Sequence, residues 1–454
     1  MSARFVPPHP PRGAGPVPVW RGFFGERART AVYGWSEAAF TQTYMRRRVM
    51  GFNVHIPTDP DLVQHVLLDN VANYEKPALT KSLLGPVIGR GLLTSDGSLW
   101  REQRRIVAGT FVPAAADAMV PIFARTAAER ATAWTGRGRI DAATEATATT
   151  MAIISESLFA GDPRLTSPVA SAHIAAALEA FSGVRLQALL GLPRIPLTPR
   201  GWAGRRGQIY LRATLTQVVR DRGRDPASER DDFLGRLLAD LHARFEPAEA
   251  EALAVDNAAT FYLAGHETTA NAITWTLFLL SEQEEWQDRL AGEARAALGQ
   301  GADDPHPPDR LPLLRRVLEE TLRLYPSAPR MDRQAVAADR LGDETVAPGD
   351  IVSIWPWLLH RHKMLWDDPD AFDPDRFAPE RKAERHRFQY IPFGAGPRTC
   401  VGARFATAEA LTILAHWLAR WRFRPVQGHV VTASGMVTLR PAGGLPLRVE
   451  PRPA

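Results

Sequence analysis

Cys400 is the only cysteine in 454 residues, and that count limits how the chain can be held together. No disulfide can form within it, so a secreted framework of cross-links is ruled out. A structural zinc site takes several Cys or His ligands at short spacing, and the nearest histidine, His386, is far off in sequence. An iron–sulfur cluster takes about four ligands, usually cysteines. The fold must rest on packing instead. Hydrophobic residues make up 45% of the chain and charged residues 23%, which suits a globular protein with an ample core.

The cysteine lies within Phe393-Gly394-Ala395-Gly396-Pro397-Arg398-Thr399-Cys400-Val401-Gly402. Glycines let a backbone turn tightly and approach a flat ligand closely, and Arg398 offers a cation with a planar fork of donors. A lone thiol is ordinarily a small buried apolar residue. This one ends a donor-rich loop, which points to a sulfur held against something. Two chemistries remain: a nucleophile served by a distant histidine, and the single thiolate ligand of a haem iron.

Helical patterning dominates, without repeats, low-complexity tracts or a glycine-rich linker. Proline and glycine predict loops at Pro77 to Gly97, Pro193 to Gly207, Gly299 to Pro312 and Pro326 to Pro329. Short β-rich stretches fall near Phe52 to Ile56, Ile351 to Ile354 and Val430 to Val449. The expected fold is one mainly α domain with a smaller β portion over residues 31–454, preceded by a flexible proline-rich lead-in over 1–30. No charge-free apolar run approaches the roughly 20 residues that span a bilayer. Met1 to Pro18 is broken by Arg4 and Arg12 and lacks a signal-peptide core. A cytosolic protein without a membrane span is expected. The net charge of +5 serves solubility or an acidic protein partner, and no array of bases and aromatics points to nucleic acid.

The longest helix candidate runs from Pro247, a good first helical residue, to about Ser281. Its middle reads Ala264-Gly265-His266-Glu267-Thr268-Thr269-Ala270. A zinc-protease helix would need a second histidine at 270, where alanine stands, so that reading fails. Ala264 and Thr268 share a face, and small residues there leave room for a bulky neighbour. Gly265 and a threonine hydroxyl returning to the preceding turn would let the helix bend or open locally. Glu267 places a charge in an otherwise apolar stretch. Later, Glu320 and Arg323 lie on one helical face, spaced to pair with each other or with a third group.

Taken in order, Trp100-x-x-x-Arg104, Ala264-Gly265-x-Glu267-Thr268, Glu320-x-x-Arg323, Leu359-His360-Arg361, Pro374-Asp375-Arg376-Phe377 and Phe393-x-x-Gly396-x-Arg398-x-Cys400-x-Gly402 resemble the signatures of cytochrome P450 haem-thiolate monooxygenases. The resemblance runs from about Tyr74 to Pro451 and implies that family's single-domain fold, with a long central helix over the haem and small β-sheets. It implies haem b as cofactor with Cys400 as axial ligand and Phe393 packed near the sulfur, with Gly396, Ala264 and Gly265 along the cofactor. Arg398, Trp100, Arg104 and, more loosely, Arg333 resemble propionate partners. Thr268 and Glu267 match the residues that steady dioxygen and relay protons. Glu320, Arg323 and Arg376 resemble a structural ion-paired triad, although Asp375 stands where many relatives carry glutamate.

The activity so implied is reductive activation of O2, a co-substrate, with hydroxylation or epoxidation of a lipophilic small molecule such as a fatty acid or terpenoid. Electrons would come from NAD(P)H through a separate ferredoxin or flavodoxin with its reductase, docking on basic side chains such as Arg101, Arg105, Arg385 and Arg387. A monomer is expected. Leu83, Leu84, Val87, Phe261, Ala264, Ala328, Arg330 and Met436 are the candidate substrate-pocket residues, with Arg330 also able to meet a substrate carboxylate or a propionate. Two other readings stay open: a non-catalytic haem-binding protein, and a thiol hydrolase using Cys400, which would be colourless.

Overall fold

Pro247 opens the longest helix because its fixed φ suits the first helical position and it has no N–H to leave unsatisfied there. The main helices, in chain order, are α1 (Ala78–Ile88), α2 (Gly97–Ala108), α3 (Val120–Thr132), α4 (Ala142–Phe159), α5 (Pro199–Arg224), α6 (Phe233–His242), α7 (Pro247–Ser281), α8 (Glu284–Leu298), α9 (Pro312–Leu324) and α10 (Ala403–Arg420). The computed structural model describes residues 4–15, 30–49, 51–167, 169–170, 172–174, 176–177, 198–224, 232–299, 307–435 and 437–453. These residues are mainly helical with small sheets, as expected. Met436 lies outside them. Among the described residues, no single helix is long and apolar enough to cross a membrane.

Two compact units make up the chain. One takes residues 1–75, 123–147 and 268–454, and the other 76–122 and 148–267. Each is assembled from separated stretches.

The first unit carries the sheets. Strands β1 (Tyr44–Val49), β2 (Phe52–Pro57), β3 (Tyr74–Glu75), β5 (Met331–Ala335) and β8 (Ile351–Ile354) form one sheet in the order β1-β2-β8-β5-β3. β2 runs parallel to β8, with Val54 opposite Ile351, and the other pairs are antiparallel. β4 (Arg139–Asp141), β12 (Pro446–Pro451) and β9 (Trp421–Pro425) form a second, three-stranded sheet, while β6 (Asp339–Leu341) with β7 (Glu344–Val346) and β10 (Ala433–Ser434) with β11 (Arg440–Pro441) form two antiparallel pairs. Val66, Leu67, Tyr74, Val352, Ile354 and Ile391 belong to one buried cluster beneath the larger sheet. Helices α8 and α9 both pack on α10. Trp134 meets Trp417 edge-on at 4.8 Å, and Phe123 meets Phe405 at 4.9 Å. Within the lead-in, the described residues 4–15 make defined bonds: Tyr325 donates its hydroxyl to the Pro8 carbonyl at 2.7 Å, Phe372 N–H reaches the Phe5 carbonyl at 2.9 Å, and Arg12 grips both oxygens of Asp370.

The second unit is helical. It departs from expectation twice: α1 occupies part of the stretch from Pro77 to Gly97 that was expected to be a loop, and α5 makes 199–207 helical within the loop expected from Pro193 to Gly207. Pro86 and Gly85 read as breakers, but proline at this place needs only the preceding turn to adjust, and Gly89 ends the helix at φ +53°. α1 packs against α5, and α6 packs against both α5 and α2.

Candidate functional site

The loop bearing Cys400 belongs to the first unit and is shaped by backbone bonds. Gly394 (φ +72°) and Gly396 (φ +67°) occupy left-handed conformations that favour glycine. A β-carbon on Gly396 would collide with the carbonyl oxygen of Leu67. Thr399 N–H reaches the Gly396 carbonyl at 3.1 Å, and its hydroxyl donates to the same oxygen at 2.8 Å. The Cys400 N–H then donates to the Phe393 carbonyl at 2.8 Å. Cys400 is left exposed just before α10, whose N-terminal dipole favours negative charge on the sulfur. Phe393 and Arg398 are half-buried.

Behind this loop stands the ion-paired cluster. Arg323 donates through Nε and Nη2 to the two oxygens of Glu320 at 2.6 and 2.8 Å, and both residues are wholly buried. Its remaining donors satisfy the carbonyls of His360, Pro369 and Ala371. Arg376 lies 3.6 Å from Glu320, so the expected triad is assembled. His360 continues the chain of contacts: its Nε2 accepts the N–H of Ile391, and Gly394 N–H returns to the Ile391 carbonyl at 3.0 Å. The sulfur-bearing loop is thus joined to Glu320 and Arg323 by successive hydrogen bonds. Burial, reinforced by the Arg323 and Arg361 cations, pushes His360 down to about 3, so it stands neutral as an acceptor.

Other residues of this unit fall into place. Arg333 on β5 is buried and donates to the Asp332 carbonyl. Arg330 pairs with Asp332 at 3.3 Å and lies over the Trp355 ring, so its charge already has a partner. Ala328 is half-buried. Arg385, expected on a docking surface, instead sits in a slot between Trp366 and Phe377, where burial pushes it down to about 10. Arg387 is exposed; in the second unit Arg101 and Arg105 are exposed as well, with Arg105 paired to Glu102 at 2.6 Å.

Along 253–281 of α7, every residue is buried except Ala264, Gly265, Glu267 and Thr268; Ala264 is exposed and the other three are half-buried. The helix stays unbroken through them, against the expectation of a local opening. Two extra hydroxyl donors reach its carbonyls. Thr150 donates to His266 at 3.0 Å within the second unit, and Ser327 to Thr268 at 2.9 Å within the first. Gly265 packs so tightly that an added β-carbon would lie 2.7 Å from Ile154 Cδ1. His266 is buried neutral, donating Nδ1–H to the Tyr262 carbonyl at 2.6 Å.

In the second unit, Trp100 and Arg104 are half-buried one turn apart on α2. Leu83 and Leu84 are half-buried and Val87 fully buried on α1. Phe261 is buried against Phe111 and Phe233, with ring centroids 5.4 and 5.0 Å away.

Two buried carboxylates escaped the sequence reading. Glu409 on α10 is wholly buried with the Thr269 hydroxyl beside it, and burial holds its carboxyl well above the usual range. Asp256 on α7 accepts from Arg90 N–H and Arg212. Acidic residues inside otherwise apolar helical runs were the available signal in both cases.

Among the described residues, no group of three or more His, Cys, Asp or Glu is set to hold a metal ion. The exposed Cys400 thiol, just before a helix N-terminus in a unit that also carries Arg398 and Arg333, fits instead an anionic prosthetic group bound through one thiolate.

Comparison with known proteins agrees. A family model described as cytochrome P450 matches residues 35–444. Cyclooctatin synthase of Streptomyces melanosporofaciens is 35% identical over 407 residues, covering 88% of this chain and 86% of that protein. Human cytochrome P450 4F2 is 30% identical, covering 86% and 80%. The crystal structure of a cytochrome P450, CYP102L1, superposes with a TM-score of 0.75 at 25% identity, covering 90% of this chain and 92% of that one. Retinoic acid-bound cyanobacterial CYP120A1, at 23% identity, shares the fold with a TM-score of 0.78 over 90% and 92%. The chain therefore belongs to the cytochrome P450 family and is an oxidoreductase of the monooxygenase type.

Proposed function

We propose that this enzyme inserts one atom of dioxygen into a lipophilic small molecule, with electrons passed from NAD(P)H through a separate ferredoxin or flavodoxin and its reductase. The observation that carries the reading is the exposed thiol of the one cysteine, Cys400, whose N–H is fixed to Phe393 and whose loop is braced through Ile391 and His360. Haem b, when bound, supplies the reductive oxygen chemistry. Cys400 Sγ would hold the iron as a thiolate, and Phe393 would shield that sulfur from water. Arg398, Arg333, Trp100 and Arg104 would hold the propionates through charge-assisted hydrogen bonds.

Proton handling falls to Thr268 and Glu267. The Thr268 hydroxyl both donates and accepts, so it can pass a proton through Oγ1, and the Glu267 carboxyl is the neighbouring source. Ala264 and Gly265, without bulk, leave that stretch of α7 open to a flat group. Leu83, Leu84 and Ala328 would meet an apolar substrate. The likeness to cyclooctatin synthase makes terpenoids, alongside fatty acids, the first compounds to screen. Cytosolic placement and a monomeric state complete the reading.

Two measurements test it. The reduced carbon monoxide difference spectrum must show the Soret position of thiolate-bound haem, and its absence overturns the assignment of Cys400. Surrogate redox partners with a library of lipophiles must then yield oxygenated product. A haem protein that shows the thiolate band but forms no product would be a non-catalytic binder.

A further inference from the structure

Three residues within little more than one turn of α7, Asp256, Asn257 and Thr260, are buried and polar in an otherwise apolar run. All contact the segment that follows α1. Asp256 Oδ2 accepts the Arg90 N–H at 2.7 Å, and Asn257 Oδ1 accepts the Leu92 N–H at 3.0 Å. A β-carbon on Gly89 would strike the Asp256 carboxylate, and one on Gly91 would strike the Thr260 hydroxyl. Gln103 on α2 closes the arrangement, accepting from Asn257 at 2.6 Å and donating to the Arg90 carbonyl at 3.0 Å. The end of α1 is therefore seated on α7 by backbone contacts with little tolerance.

The other oxygen of Asp256 does something different. Oδ1 accepts from Arg212 Nη1 of α5 at 2.5 Å. The Arg212 side chain is 33% exposed and that of Asp256 is 9% exposed. A second α5–α7 ion pair, Arg220 with Glu251, is open to water on both sides and contributes little. One carboxylate thus serves both a fixed backbone seat and a cationic side chain within reach of solvent.

We propose that the Arg212–Asp256 ion pair is a releasable latch that ties α5 to the seated end of α1 and so sets how long a bulky ligand is retained. This rests on the proposed function, in which Leu83 and Leu84 of α1 meet the substrate. Arg212 and Asp256 are positioning residues: they act on retention through the elements they join. The Arg90 seat stays when Arg212 lets go, because it uses the other oxygen. Opening is therefore confined to α5, and raised salt weakens the tie.

The test uses the haem-loaded enzyme with three probes: 4-phenylimidazole as the bulky ligand, and imidazole and carbon monoxide as small ones. Release is followed at the Soret band by stopped flow. The wild type must first give the thiolate band, so failure of the proposed function shows before the latch is tested. R212Q should release 4-phenylimidazole about tenfold faster, a typical coupling between sites, with imidazole and carbon monoxide unchanged. R212K should restore most of the wild-type rate, and R212Q combined with D256N should release no faster than D256N alone. Wild-type release should also accelerate as salt approaches about 0.5 M, where charges in contact with solvent are strongly screened; R212Q should not respond. Unchanged 4-phenylimidazole release in R212Q, equal acceleration of the small ligands, or a salt-insensitive wild type would each overturn the latch. The salt arm needs no variant, so the proposal stays testable even where R212Q fails to fold.

Discussion

Ile391 donates its backbone N–H to Nε2 of His360 across 2.9 Å, so a wholly buried ring acts as an acceptor in the support of the cysteine loop. The folded-state value is pushed down to about 3 by burial and by the Arg323 and Arg361 cations, whereas an unfolded histidine titrates near 6.5. Between those values the unfolded chain takes a proton that the folded one refuses. The stability from this residue is full above about pH 6.5 and is lost as pH falls, by about 1.4 kcal/mol per pH unit. Denaturant titrations from pH 7 to pH 4.5 should show that slope, added to those of His266, His362 and His416, which burial also lowers. H360Q should flatten it by up to one proton's worth, and an unaltered slope would rule out the acceptor role.

Breaking the buried pair should cost more than deleting it. E320A leaves the Arg323 guanidinium without its carboxylate, a loss of roughly 3–5 kcal/mol for a buried pair. Replacing both residues with apolar ones of similar size, E320L with R323M, should recover part of that. Urea midpoints for the two variants decide the order.

Two glycines four residues before the cysteine and earlier should respond unequally. Alanine at Gly394 meets its nearest neighbour, Met331 Sδ, at 3.7 Å and bears only the left-handed backbone strain of roughly 1–2 kcal/mol. Alanine at Gly396 bears that strain and must also displace the Leu67 carbonyl. G396A should lose the thiolate-type carbon monoxide band, whereas G394A should keep it.

Glu409 carries a raised value from burial, so its linkage runs opposite to that of His360. Above the unfolded value near 4.3, the unfolded carboxyl gives up its proton while the folded one retains it, and stability falls as pH rises. E409Q removes that penalty. Its melting temperature should exceed the wild type's at pH 8 and approach it at pH 5, as thermal scans at the two pH values would register.

T268A should retain the carbon monoxide spectrum of the parent and divert electrons to peroxide, because the residue's proposed work is with protons and not with haem binding. Peroxide yield per NAD(P)H consumed is the measurement. Undisturbed coupling to product would remove Thr268 Oγ1 from the relay.

Much of the site was legible from local pattern. The bounds of α7 fell at Pro247 and Ser281 because a proline start and a sustained apolar run are local signals, and β8 matched its β-branched stretch at Ile351–Ile354. The pairing of Glu320 with Arg323 followed from helical spacing alone. α1 did not, since Pro86 and the flanking glycines outweighed its apolar residues until packing on α5 favoured the helix. Arg385 looked like a surface charge because nothing near it in sequence announces the Trp366 ring that covers it. Asp256 and Glu409 show in the sequence only as acids in apolar helical runs, because the partners that give them meaning, Arg212 and Thr269, lie on other helices.

The hydrogen bonds that run from Arg323 through His360 to Ile391 and on to Gly394 end on main-chain atoms of the cysteine loop. Main-chain N–H and C=O groups are common to every residue type but proline, which lacks the N–H, so these bonds do not depend on which side chains Ile391 and Gly394 carry. The proposed latch, in turn, belongs to a unit built from other stretches of the chain. On the proposed reading, what the enzyme admits and where its thiolate stands are separate variables, and exchanges at α1 and α5 should alter selectivity while leaving the electronic character of the sulfur alone.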